Sequence, residues 1–165
     1  MARHPAGGFR AGGTVMRLTN FTDYSLRVLI FVAAQREGRA TIADVARAFD
    51  ISENHLTKVV HFLGKRGFLA NVRGRGGGLA LARPAKEIAI ADVVREAEGT
   101  MVPAECFVAE ESCAIASVCR LRGVLADAMK AFYAVLAQYS LEDVIGNRRE
   151  LAPILFRATG AANTT

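Results

Sequence analysis

Two short apolar runs, Phe68–Arg73 and Leu79–Ala82, are separated by Gly74-Arg75-Gly76-Gly77-Gly78. Four glycines in five positions do not continue a helix. The stretch therefore predicts two short strands joined by a close-turning tip that carries arginine, with Pro84 closing the unit. Everything before this hairpin has helical periodicity. Thr22-Asp23-Tyr24-Ser25 offers caps to a first helix with Leu26, Leu29, Ile30 and Ala33 on one face up to Gln35. Glu37-Gly38-Arg39 breaks the pattern. Thr41 then caps a short helix through Ile42, Val45, Ala46 and Phe49. Asp50-Ile51-Ser52 is a tight connection, and Ser52 caps a third helix with Leu56, Val59, Val60 and Leu63 apolar, ended by Gly64 and Gly67.

A short helix, a three-residue turn, a second helix and a glycine-tipped hairpin predict a winged helix-turn-helix over residues 16–87. The expected fold class is mainly α with a small β-hairpin wing. Residues 88–120 read as a connecting helix, Ile88 to Glu98, and an irregular loop. From Cys119 to Tyr139 the apolar period is sustained through Leu121, Val124, Leu125, Ala128, Phe132, Val135, Leu136 and Tyr139. A helix of that length must bury its stripe, and the matching helix of a second copy is the economical partner. Packing within the monomer is the alternative. The dimerisation segment is expected to span 119–145, and 146–165 reads as a C-terminal tail. Residues 1–15 are rich in Gly, Ala and Arg and lack the apolar core of a secretory signal, so they read as a disordered extension, with Met16 a candidate natural start.

Charge sharpens the functional reading. Residues 1–87 hold 14 of the 21 basic side chains and only 6 of the 16 acidic ones. A basic front half suits a polyanion held at that end. If the third helix enters a major groove, its first turns face the base edges. The candidate DNA contacts are Ser52, Asn54, His55, Thr57 and Lys58 there, with Arg73 and Arg75 at the wing, where arginine suits a narrow minor groove. No Lys-Ser/Thr follows the glycines and no helix opens after them, which sets aside a nucleotide-phosphate loop. No apolar run reaches the 18 residues of a membrane span, so no membrane partner is expected. The expected compartment is a reducing cytoplasm.

All three cysteines, Cys106, Cys113 and Cys119, fall in the one irregular loop. Their spacing is too wide for the knuckle of a structural zinc site. Three thiols in fourteen residues favour an iron–sulfur cluster, with zinc plus one further ligand, or a thiol redox switch, as alternatives. Catalysis is not expected, because the three His, at 4, 55 and 61, share no motif with a cysteine.

Four stretches together resemble one group of proteins: MRLTNFTDYSLRVLI at Met16–Ile30, VRGRGGGLAL at Val72–Leu81, the three cysteines, and YSLEDVI at Tyr139–Ile145. They are similar to the bacterial winged-helix repressors that include NsrR, IscR and RirA, over roughly Met16 to Ile145. Arg122 stands where IscR-like members have a cluster-binding His, and Asp23 where RirA-like members tend to have Asn. NFTDYSLR and NHLTKVV resemble the NsrR type, whereas AECF at Ala104–Phe107 is reminiscent of RirA. The resemblance implies a bacterial cytoplasmic homodimer on near-palindromic double-stranded operator DNA. It implies one [4Fe-4S] cluster per subunit, held by Cys106, Cys113, Cys119 and, across the dimer, Asp23. It also implies release of the operator in response to nitric oxide, or to iron in RirA-like members. The residues themselves leave Asp23 equally readable as a helix N-cap.

Overall fold

The computed structural model of the chain describes residues 17–35, 39–72, 74, 77–99, 101–109 and 113–156. Helix α1 (Asn20–Ala34) starts earlier than its polar cluster suggests. Thr19 is the N-cap, its hydroxyl accepting from the Thr22 N–H at 3.3 Å. Thr22 and Ser25 are fully buried instead, and Ser25 returns its hydroxyl hydrogen to the Phe21 carbonyl at 2.8 Å. Asp23 is thus not a cap. It lies inside the helix and pairs with Arg27 at 2.8 Å. The buried positions are also wider than one stripe: Val28, Leu29, Phe31, Val32, Ala33 and Ala34 are all enclosed, whereas Leu26 and Ile30 are only half-buried. The second half of α1 is the central rod of the core, touched by helices and hairpin alike.

Helix α2 (Ile42–Phe49) is opened by a capping box in which Thr41 and Asp44 satisfy each other's backbone N–H groups. Burial alone would raise the Asp44 pKa, but the Thr41 hydroxyl and N–H and the Arg47 charge outweigh it and hold the carboxyl below its ordinary 3.8. The depressed value sets the sign. The box contributes fully above pH 3.8 and is lost as pH falls through the lowered value. Thr41→Ala is expected to cost about 1 kcal/mol at neutral pH. Urea unfolding at pH 7 and at pH 3 should show that difference shrinking in acid.

Asp50 takes a left-handed conformation (φ 52°) to end α2, and helix α3 (Glu53–Lys65) follows after Ile51 and Ser52. Leu56, Val59, Val60 and Leu63 bury one face of α3, as the periodicity predicts. The hairpin comprises β1 (Leu69–Val72) and β2 (Gly78–Leu81), antiparallel, with Leu69 opposite Leu81 and Val72 opposite Gly78. At its tip the Gly77 N–H donates to the Gly74 carbonyl at 2.8 Å. Ala40 adds a single bridge to Leu79, which ties the wing to the chain just before α2.

Helix α4 (Ile90–Glu98) begins two residues later than expected, after a short turn over Ala85–Glu87. Helix α5 (Arg120–Leu136) stops short of Tyr139. The chain then folds back. The Leu141 N–H donates to the Ile88 carbonyl at 2.8 Å, and the Ile90 N–H to the Tyr139 carbonyl at 2.9 Å. Helix α6 (Leu141–Val144) buries Leu141. The stretch read as a tail contains one more helix, α7 (Arg148–Leu155). It packs on α1 and α2; Arg148 donates to the Ala33 carbonyl at the end of α1, and Phe156 meets Phe31 edge-on at 5.1 Å. The expected disorder of residues 1–15 and the last nine residues of the tail lie outside the described residues.

No residue of α5 is buried. Phe132, Tyr133 and Leu136 rest against the core, while Leu121, Val124, Ala128, Ala131 and Val135, followed by Tyr139, form a separate exposed stripe. Among the described residues no helix is long and apolar enough to cross a membrane.

Candidate functional site

The first two turns of α3 separate cleanly into two faces. Leu56 and Val59 are enclosed, whereas Ser52, Asn54, His55, Thr57 and Lys58 are all exposed. Ser52 has the position of an N-cap, yet its side chain makes no capping bond, so its hydroxyl is free for another acceptor. The Thr57 hydroxyl donates to the Glu53 carbonyl at 2.8 Å, which leaves its lone pairs facing solvent as acceptors. Asn54 carries both a donor and an acceptor, the pair needed for adenine, and Lys58 carries the charge suited to guanine or phosphate. Arg73 and Arg75, the wing candidates, lie outside the described residues.

His55 and Lys58 also face the start of α1. With Asn20, Phe21, Tyr24 and Val59 they line a groove of about 170 Å³. The Tyr24 and His55 rings lie 6.4 Å apart across it. Reading the sequence alone gives Asn20 and Tyr24 no functional role, because they belong to a separate helix. Only the crossing of α1 over α3 sets them beside the reading residues. Beneath the groove Phe21 packs edge-on against Phe62 at 5.1 Å, a closer ring contact between α1 and α3.

Asp23 stands on the same end of α1, with its side chain 42% exposed and held by Arg27. Arg27 in turn lies 5.7 Å from the Phe49 ring centre.

The three cysteines are free thiols and half-buried. Cys106 lies in a short helical turn over Glu105–Phe107. Cys113 and Cys119 flank a second such turn over Ala116–Val118, with the Ala116 N–H donating to the Cys113 carbonyl at 3.0 Å. Cys119 is the N-cap of α5. Among the described residues, no three His, Cys, Asp or Glu side chains are gathered closely enough to hold a metal ion. The structure thus puts the thiols in one segment at the foot of α5 but does not bring them, or Asp23, together. In donor chemistry the set still fits an iron–sulfur group: three thiols, no disulfide competing for them, and one ligand short of four.

Comparison with known proteins places this geometry in a wider setting. The family model Rrf2, described as an iron-dependent transcriptional regulator, matches residues 18–147. The HTH-type transcriptional regulator NsrR of Bacillus subtilis (strain 168) is 45% identical over 142 residues, covering 85% of this chain and 97% of that protein. Its counterpart in Geobacillus kaustophilus (strain HTA426) is 46% identical over 147 residues, covering 88% of this chain and the whole of that protein. Among solved structures, CymR, the global cysteine regulator of B. subtilis, superposes with a TM-score of 0.63 at 26% identity, over 81% of this chain and 98% of that one.

Proposed function

The chain belongs to the Rrf2 family of transcriptional regulators, which are not enzymes, and from that premise we propose that it is a DNA-binding repressor that releases its operator in response to nitric oxide. The observation that carries the DNA-binding reading is the division of α3 into a buried face and an exposed face that presents Ser52, Asn54, His55, Thr57 and Lys58. The reading helix would lie in the major groove, flanked by the wing. The protein acts as a homodimer joined along the exposed α5 stripe, on two half-sites about 34–36 Å apart in cytoplasmic DNA.

Lys58→Ala should weaken binding about tenfold at moderate salt and reduce the slope of log affinity against log salt by roughly 1. The check is a titration at several salt concentrations against a duplex selected from random-sequence DNA. An unchanged slope would remove Lys58 from the phosphate contacts.

The resident cofactor in this reading is one [4Fe-4S] cluster per subunit, held by Cys106, Cys113 and Cys119, with Asp23 of the second subunit as the fourth ligand. When bound, such a cluster supplies iron at which nitric oxide reacts. What the chain contributes follows from its own residues. Asp23 would have to leave Arg27 to serve as a ligand, and an exposed pair of this kind is worth only about 0–1 kcal/mol, so the pair would do little to hold it back. A carboxylate suits iron–sulfur iron less well than a thiolate does, so Asp23 would be the replaceable member of the set. Because α1 packs on α3 through Phe21 and Phe62, a change in the seat of α1 would have a direct route to the reading helix.

The test is anaerobic purification, with the visible spectrum and binding to the selected duplex measured before and after stoichiometric nitric oxide. Bleaching together with loss of DNA binding supports the reading. Cys113→Ala should abolish the visible chromophore altogether, and a retained brown colour would mean other ligands. A second reading is favoured by the family's description as iron-dependent: a repressor responsive to iron or redox state. A cluster indifferent to low nitric oxide but lost to an iron chelator would select it. A colourless protein containing zinc would select a zinc or thiol-switch repressor on the same fold.

A further inference from the structure

The last turn of α4 carries two carboxylates that reach in different directions. Glu98 accepts two hydrogen bonds at one oxygen, from the Thr19 backbone N–H at 2.7 Å and the Thr19 hydroxyl at 3.1 Å. Thr19 is the cap of α1, so Glu98 holds the residue that starts that helix, and its negative charge sits at the helix's positive end. Two residues earlier, Glu96 pairs with the Arg66 guanidinium at 3.1 Å. Arg66 is the C-cap of α3, and it also lies over the Phe62 ring at 5.7 Å. The two links end on the two helices that Phe21 and Phe62 join, at Thr19 before α1 and at Arg66 after α3.

Immediately beyond this turn α4 ends. The Gly99 N–H closes on the Arg95 carbonyl at 3.1 Å, and the chain leaves through a left-handed glycine (φ 66°) toward the cysteine segment. The other end of α4 is pinned to the end of α5 by the Ile88 and Ile90 backbone bonds. Helix α4 therefore spans from the chain just beyond the C-terminal end of the long helix to the junction of α1 and α3.

We propose that Glu98 and Glu96 are positioning residues that clamp α1 to α3 and so set the reading helix for DNA, with the clamp placed where the cysteine segment begins. The proposal rests on the DNA-binding reading above and adds to it the means by which the order of the cysteine segment reaches α3. Neither carboxylate touches DNA in this scheme. Their effect on binding therefore has a sign opposite to that of simple electrostatics. Removing a negative charge from a protein that binds a polyanion should tighten binding if the charge acts only through space. Removing a clamp should weaken it.

The experiment compares the wild-type chain with Glu98→Gln, Glu96→Gln and the double variant, each in its metal-free and its cluster-reconstituted form. Thr19→Ser serves as the conservative control that keeps the hydroxyl. Affinity is measured for the duplex selected by the wild-type chain. Hydrogen exchange is followed, without DNA, at the amides of the first turn of α1 and the last turn of α3. For Glu98→Gln we expect operator binding about fivefold weaker, the size of one lost capping interaction, with an unchanged salt slope. Exchange should rise at Thr22 and Asp23, and Thr19→Ser should behave as wild type. In the double variant the affinity difference between metal-free and reconstituted forms should shrink. Unchanged exchange, or tighter binding, would overturn the clamp while leaving the DNA-binding reading intact. Failure of the wild-type chain to select any duplex would overturn that reading and the clamp's role with it.

Discussion

Val124→Glu should leave the chain folded but monomeric, with operator affinity lower by about 10²-fold or more. Leu121, Val124, Val135 and Tyr139 are 62%, 63%, 54% and 51% exposed, and Ala128 and Ala131 lie exposed between them. From Leu121 to Val135 their spacing alternates three and four residues, the period at which a helix seats itself against another helix. The opposite side of α5 is already occupied, since Phe132, Tyr133 and Leu136 pack on the core and Arg95 lies 4.9 Å over the Tyr133 ring. The exposed stripe is thus surplus to the monomer, and a second copy is the occupant proposed for it. A glutamate within it would have to be buried without a partner in the assembled pair, which costs several kcal/mol by ordinary desolvation estimates. Two half-sites bound by one dimer gain far more than either alone, so loss of the pair reduces affinity by orders of magnitude. Light scattering reads the mass, circular dichroism the fold, and a duplex titration the affinity. A variant that stayed dimeric, or a monomer that bound as tightly as wild type, would remove α5 as the interface.

How far the sequence foretold these features depends on how local each one is. The α2 cap was legible because Thr41 and Asp44 form a box within four residues. The buried face of α3 was legible because one period decides it. The start of α1 was not, since Thr22 and Ser25 look like caps in isolation and only the close approach of neighbouring helices shows that they are enclosed. Helix α7 carries no such signal, because it is eight residues long and contains Pro153, a residue that ordinarily ends a helix. Its stability comes from contacts with α1 and α2 that no periodicity encodes. The Ala40 bridge is a single pair between distant residues and leaves no pattern at all. The candidate site divides in the same way. The exposed set on α3 and the clustering of the cysteines are properties of one segment each. The convergence of Glu98, Thr19, Arg66 and Phe62 depends on three helices meeting. Composition could not reveal it.

Gly78→Ala should destabilise the fold by roughly 3 kcal/mol, combining backbone strain with a weakened hydrogen bond. A Cβ at Gly78 would stand 2.7 Å from the Ala40 carbonyl oxygen and 2.9 Å from the Arg39 Cβ, and the backbone there has φ 157°. The first of these atoms is not free to retreat, because the same carbonyl accepts the Leu79 N–H at 2.7 Å and forms the one bridge that ties the hairpin to the start of α2. Relieving the clash means opening that bridge. Leu79, 5% exposed, then loses part of its cover. The wing would also lose its fixed angle to α3, so operator binding should weaken beyond what the loss of stability alone explains. Gly64 supplies the contrast. It lies within α3 with only the Leu69 carbonyl near its missing Cβ, at 3.9 Å, so Gly64→Ala should stabilise by about 0.5–1 kcal/mol through helix propensity. Urea unfolding of the two variants beside wild type is the check, and the shifts should have opposite signs. A neutral Gly78→Ala would mean that the hairpin does not need the Ala40 bridge to hold its place.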